Sequence, residues 1–274
     1  MLRSVLNRWL LRVTAALFVT GMGLFVGMPM LVLFLYSVSG RWNYPDLLPT
    51  EYTLEWYDYL FRYEGGLSSL ALSLEVALLS TVIAVLLGAP LGYVLSRGKV
   101  RGRGVLETLF LTRLVIPVIV IAVGIATIFM KLNLYDTFVG IVIAHVANGL
   151  PYVVWTAEAA FHAVDPDLEH AARSLGASPV TTFFRITLPL AAPGIVAGSI
   201  FMFLYSLDEF TVTLLISGVR YKTLPIRLYS VLEYGYIEPA AATAVLLLLP
   251  SIVYLAVVLK FMRPEVMQAS FGKV

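Results

Sequence analysis

The chain contains no cysteine, which excludes a disulfide framework, a thiolate metal site and a cysteine nucleophile. Charge is almost as scarce: 13% of the 274 residues are Asp, Glu, Lys or Arg, against ~25% in a soluble domain. The three histidines, His145, His162 and His170, form no H-E-x-x-H or related zinc pattern. No Gly-Lys-Ser or Gly-Lys-Thr occurs, so the phosphate loop of a nucleotide hydrolase is missing, and no G-x-S-x-G turn presents a serine nucleophile. The few basic residues sit in short groups beside apolar stretches, and the net charge is only +2. A nucleic-acid-binding surface, which interleaves many cations with aromatics, is excluded on that ground.

What the chain has in abundance is apolar side chains, 59% of the total. A spanning helix needs about 20 mostly apolar residues. Six stretches qualify, near Val13–Val38, Ala71–Leu95, Leu106–Met130, Phe138–Phe161, Ile195–Ile216 and Ala240–Phe261. The expected fold is all-α, a polytopic membrane protein with six transmembrane helices and a single transmembrane domain over residues 1–274. The first stretch follows Arg3, Arg8 and Arg12 but exceeds the ~7–15 apolar residues of a signal peptide and lacks an A-x-A site. It reads as a retained anchor.

Cations resist translocation, so Lys and Arg in short loops mark the cytoplasmic side. Arg3, Arg8, Arg12, Arg97, Lys99, Arg101, Arg103, Arg173, Arg185, Lys260, Arg263 and Lys273 fall on one set of alternate segments. Arg41, Arg62, Lys131, Arg220, Lys222 and Arg227 fall on the other. Twelve against six predicts both termini in the cytoplasm. The first outer loop, Gly40–Ser69, is acidic and rich in Trp and Tyr (Trp42, Tyr44, Tyr52, Trp56, Tyr57, Tyr59, Tyr63), as expected of a short helix at headgroup level or a docking surface. Two pairs, Gly23 with Gly27 and Gly88 with Gly92, have the G-x-x-x-G spacing that permits close helix approach.

Between the fourth and fifth stretches, residues 162–193 are too polar to span and too long for a simple turn. Asp165 or Asp167 can cap a helix beginning near Pro166, and Gly176 suits its end. A second helix can begin after Ser178 with Pro179 in its first turn. Its Phe183, Phe184, Ile186 and Leu188 would then rest on the membrane surface, giving a helix-turn-helix on the cytoplasmic face.

The positions Ala171, Ala172, Gly176, Ile186, Leu188 and Pro189 fall at the spacing of the EAA loop of ABC importer permeases, E-A-A, three residues, G, nine residues, I-x-L-P. The chain thus resembles that family, with the type I importer permease fold. It is most similar to the spermidine/putrescine type, with Ser206–Phe210, Thr223–Pro225 and Tyr229–Ser230 as further shared stretches. The family's Glu position is His170 here, with Glu169 one place earlier. A further departure is Pro117–Val118, where polyamine permeases often place an acid after the proline. The resemblance implies that the loop about 162–193 docks in a cleft of an ATPase subunit, through Glu169, His170, Ala171, Ala172, Gly176, Ile186, Leu188 and Pro189. It also implies a second permease subunit, identical or different, two ATPase subunits that bind the ATP, and an extracytoplasmic solute-binding protein, all at the bacterial inner membrane. No cofactor, metal or catalytic residue is expected in the chain itself.

A carboxylate inside a span costs roughly 2.5–3.5 kcal/mol on insertion scales and so faces a cavity or a partner. Asp208 and Glu209 meet that description, and side chains of adjacent helical residues point about 100° apart, so one of the two faces the pore. Tyr205, on the face of Asp208, and Tyr229 complete the substrate-pathway candidates. Arg113 could neutralise an acid, but its expected height, about 10 Å from the cytoplasmic end of its helix against about 20 Å for Asp208, lets it snorkel to the surface instead. The implied cargo is a polyamine or similar small cation. Ferric iron, thiamine or phosphonate importers share parts of the pattern, and a six-span channel or intramembrane enzyme using the two acids is the alternative of another class.

Overall fold

The computed structural model describes residues 2–42, 45–98 and 101–261. Lys99, Arg263 and Lys273, counted in the charge asymmetry, and Tyr44 lie outside the described residues. So do the side chains of Arg3 and Arg8. In chain order the elements are α1 (Leu2–Val38), α2 (Glu55–Arg62), α3 (Gly66–Arg97), α4 (Arg103–Val115), α5 (Val118–Lys131) and α6 (Phe138–Ala163). There follow α7 (Pro166–Ser174), α8 (Pro179–Thr182), a π turn (Phe183–Thr187), α9 (Leu188–Asp208), α10 (Thr211–Ile216), α11 (Leu224–Glu233) and α12 (Ile237–Phe261). Among the described residues, five runs are long and apolar enough to cross a membrane: Arg12–Val38, Gly66–Arg97, Phe138–Ala163, Pro179–Asp208 and Ile237–Val258. The pair α4 and α5 makes a sixth when counted as one broken span.

The third expected stretch is therefore not one continuous helix. Its two halves meet at 109°. The cause is Pro117, which has no N–H to donate and pushes its predecessor out of helical space: Ile116 is extended, with φ −77° and ψ 130°. The fifth expected stretch also shifts. Its helix starts at Pro179, ends at Asp208, and gives way to α10 after an extended Glu209 with φ −68° and ψ 116°. The π turn before Pro189 adjusts the backbone where a proline cannot donate.

Contacts divide the chain into two units. One comprises the chain up to Gly65 with Leu228–Leu246. In it α2 is the short helix expected within Gly40–Ser69, and three aromatic side chains fasten the loop. Trp56 Nε1 donates to the Ser39 carbonyl at 2.7 Å, the Tyr57 hydroxyl to Ser37 Oγ at 3.0 Å, and Trp42 Nε1 to the Asp46 carbonyl at 2.9 Å.

The other unit comprises Gly66–Arg227 with the chain from Leu247 onward. Its centre is the packing of α3, α6 and α9, and small residues make that packing close. A side chain at Gly92 would meet Ala157 Cβ at 2.8 Å, and one at Gly194 would run into Ala160. Apolar side chains fill the space around these approaches. Phe161, Ala157, Ile195 and Ala191 form one buried cluster and Val153, Met202 and Ala84 another. Between helices in lipid, packing of this kind replaces the hydrophobic drive of a soluble core.

Candidate functional site

The loop between α6 and α9 is built by its capping residues. Asp165 Oδ1 accepts from the Asp167 amide at 2.9 Å, with Pro166 at the first helical position. At the other end Gly176 adopts φ +90°, the Ala177 amide donates to Ala172 O at 3.1 Å and the Gly176 amide to Arg173 O at 3.0 Å. This is a Schellman ending, which needs a residue free to take positive φ. Ser178 then caps α8 by accepting from the Thr181 amide at 3.1 Å. The expected free second helix is absent, because α8, the π turn and α9 run on as one 30-residue helix, Pro179–Asp208. Phe183 and Leu188 accordingly pack onto the cluster around Phe161, whereas Phe184 is exposed.

The structure separates the candidate coupling residues by face. His170 and Ala171 are exposed, Gly176 and Pro189 likewise, Ile186 and Leu188 are half-buried, and Ala172 is buried. Leu168, Leu175 and Val180 add an apolar exposed surface. Glu169 turns the other way and is only 7% exposed. Its Oε1 accepts from Arg97, at 3.0 Å from the terminal nitrogen and 3.1 Å from Nε, and the same guanidinium donates to the Val164 carbonyl at 2.6 Å. Arg97 thus joins the end of α3, the end of α6 and the start of α7. Moving the acid by one residue rotates it about 100° around the helix, so Glu169 faces inward and His170 takes the outward position. Sequence reasoning did not find this role of Arg97, since nothing local marks a cation for a partner 72 residues away.

The second site lies at the end of α9. A cavity of about 630 Å³ is lined by Arg113, Tyr152, Tyr205, Asp208 and Glu209, with apolar residues of α9 and α12 around them. Asp208 is exposed to it, and Glu209 is 6% exposed. The Glu209 carboxylate is committed: it accepts from the Val212 amide at 2.8 Å, the Thr213 amide at 2.9 Å and Thr213 Oγ1 at 2.6 Å. It caps α10 and so stabilises the break in the span. Of the two adjacent acids, Asp208 is the one left to the cavity. Tyr205 borders it as expected from its spacing, whereas Tyr229, on α11, is not among the lining residues.

Arg113 does not snorkel away. It occupies the last turn of α4, where helix carbonyls favour a cation, and its guanidinium carbon lies 4.8 Å from the ring centre of Tyr205 and 5.4 Å from that of Tyr152. The turn at Ile116–Pro117 ends α4 there, so depth along a straight helix does not describe its position.

Behind the cavity runs a buried chain of side chains around His145, a histidine that belongs to no zinc pattern in the sequence. His145 Nδ1 lies 2.7 Å from Ser206 Oγ, and Nε2 lies 2.8 Å from Thr213 Oγ1. Thr213 spends its single hydroxyl hydrogen on Glu209, so it accepts from Nε2–H, and Nδ1 then accepts from Ser206. A neutral His145 protonated on Nε2 satisfies every atom of this chain, which links α6, α9 and α10. The only hint in the sequence is a histidine inside an apolar stretch.

A family model described as the binding-protein-dependent transport system inner membrane component matches residues 84–266, which contain the loop and the cavity acids. The chain belongs to this family. The permease is 31% identical over 201 residues to the spermidine/putrescine transport system permease protein PotC of Haemophilus influenzae, covering 73% of this chain and 78% of that one. It is 36% identical over 205 residues to the molybdenum transport system permease protein ModB of Mycobacterium tuberculosis, covering 69% and 76%. To the trehalose transport system permease protein SugB of the same organism it is 30% identical, covering 90% and 92%. Among solved structures, a bacterial ABC transporter involved in the import of the acidic polysaccharide alginate superposes with a TM-score of 0.73 at 18% identity, covering 92% of this chain and 96% of that one. The permease therefore has the type I ABC importer permease fold and is a subunit of an ABC importer in the membrane.

Proposed function

We propose that this permease passes a small organic cation of the polyamine kind through the cavity bordered by Asp208. The carrying observation is Asp208 itself, exposed on the cavity wall next to the rings of Tyr152 and Tyr205. Among the described residues no basic group forms an ion pair with it. An acid at this depth costs roughly 2.5–3.5 kcal/mol on insertion scales, and a passing cation offsets that cost. The similarity to PotC supports the same reading.

In the working importer the permease pairs with a second permease subunit, two ATPase subunits that bind ATP, and an extracytoplasmic solute-binding protein. The outward residues of α7 and the Gly176 turn, His170, Ala171 and Leu175 among them, meet the ATPase. Both termini lie in the cytoplasm, as the charge asymmetry supports. Closure of the ATPase pair moves the loop, and the pore opens outward to receive cargo.

The test is spermidine uptake by the transporter copurified in mild detergent and reconstituted in vesicles. Asp208→Asn should lower the maximal rate about tenfold, equivalent to roughly 1.4 kcal/mol, with the affinity of the binding protein unchanged. Wild-type rates for both Asp208→Asn and Glu209→Gln, or uptake of molybdate or trehalose in place of spermidine, would overturn the proposal.

A further inference from the structure

We propose that Arg113 is a tethered competitor: it occupies the aromatic site that a permeating amine must use, and so keeps that site weak and its cargo releasable. This inference rests on the cation reading of the cavity and adds to it the residue that sets affinity within the membrane.

Two tyrosine rings, 5.7 Å apart and inclined at 44°, converge on one guanidinium. Faces that attract one cation attract another, because the interaction is with the ring quadrupole and not with a particular group. Asp208 borders the same cavity, and Glu209 beside it is consumed by its three donors. With Arg113 in place the free charges of the cavity are one cation and one carboxylate. With Arg113 withdrawn, what remains is two ring faces and a carboxylate in a space of about 630 Å³, within the ~300–1,000 Å³ of small-molecule sites. That set of groups is a site for an alkylammonium. The Arg113 guanidinium lies against the rings and forms no ion pair with Asp208, so the groups that would receive the amine are partly filled by the protein itself.

A competitor on the same chain acts at an effective concentration in about the millimolar range. An amine gains entry only by displacing it, and the return of Arg113 helps expel the amine. Conduction requires binding of this intermediate strength, firm enough to enter and weak enough to leave.

The experiment measures spermidine binding to the assembled permease and ATPase complex in lipid nanodiscs, without the solute-binding protein. Arg113→Gln should tighten binding about tenfold, between the sizes of an exposed and a desolvated cation–π contact, and slow the maximal uptake rate. Arg113→Lys should stay near wild type, and adding Asp208→Asn to Arg113→Gln should remove the gain. Unchanged or weaker binding by Arg113→Gln, in a complex whose wild type transports spermidine, overturns this inference and leaves the cation reading intact. A wild type that imports molybdate and loses it on Arg113→Gln overturns both, with Arg113 an anion ligand. Arg113→Met, which keeps the stem, is the second removal. If neither removal variant copurifies with the ATPase, Arg113 is structural and the inference is wrong.

Discussion

Two G-x-x-x-G pairs of this permease, Gly23 with Gly27 and Gly88 with Gly92, are the same motif in different surroundings. Among the described residues, a side chain added at Gly23 or Gly27 in α1 would meet nothing within 4 Å beyond the adjoining backbone of its own helix. One added at Gly88 would meet Val153 Cγ1 at 2.9 Å, and one at Gly92 would meet both Ala157 Cβ and the Glu158 amide nitrogen at 2.8 Å. The helices around them differ in parallel: among the described residues, the most apolar 18-residue stretch of Arg12–Val38 has no buried residue, whereas 61% of the corresponding stretch of Phe138–Ala163 is buried. Yet Phe138–Ala163 is the less apolar of the two. Hydropathy in a membrane protein reports the solvent that a helix tolerates, while burial reports which small residues have found a partner.

The largest expected effect breaks the tight pair. Gly92→Leu forces α3 away from the α6 backbone, and overpacking of this kind costs about 3 kcal/mol or more. The amount of folded permease extracted from membranes should fall more than tenfold, as read by size-exclusion chromatography in detergent. Normal levels of Gly92→Leu would mean that α3 and α6 do not approach this closely.

An intermediate effect asks whether the same rule, that the partner decides the meaning of a residue, holds for charge. Removing one partner of a buried ion pair costs about 3–5 kcal/mol, and the remaining 18% exposure of the Arg97 side chain places this pair lower, near ~2 kcal/mol. Glu169→Gln should leave insertion intact and reduce the cargo moved per ATP hydrolysed several-fold. Exchanging the two, Arg97→Glu with Glu169→Arg, should recover part of that loss. A double variant as poor as the single one would place the essential contact of Glu169 outside this chain.

The smallest effect is expected where the motif meets no neighbour among the described residues. Gly23→Leu with Gly27→Leu should change the level of folded permease by no more than about 0.5 kcal/mol in equivalent stability. Loss of permease pairing with normal insertion would sharpen the comparison, since these glycines would then serve the contact with a second subunit.

Much of the loop between α6 and α9 was legible in order. Asp165, Pro166, Gly176, Ser178 and Pro179 act through backbone geometry within a few residues, so their caps and turn could be read from spacing alone. The cavity was half legible. Asp208 and Tyr205 announce themselves as polar groups in an apolar run, but the same signal marks Glu209, whose carboxylate turns back to cap α10.

By itself the sequence determined the solvent of this protein, the approximate spans, the loop with its caps and the family, because apolar length, charge placement and turn residues act locally. Only the tertiary structure decided that Glu169 faces Arg97, that His145 closes a chain to Glu209, and that Pro117 ends α4 where Arg113 meets Tyr152 and Tyr205. Each of these joins residues dozens of positions apart. Their meeting depends on how closely α3, α6 and α9 pack and where their helices break, which no local pattern encodes.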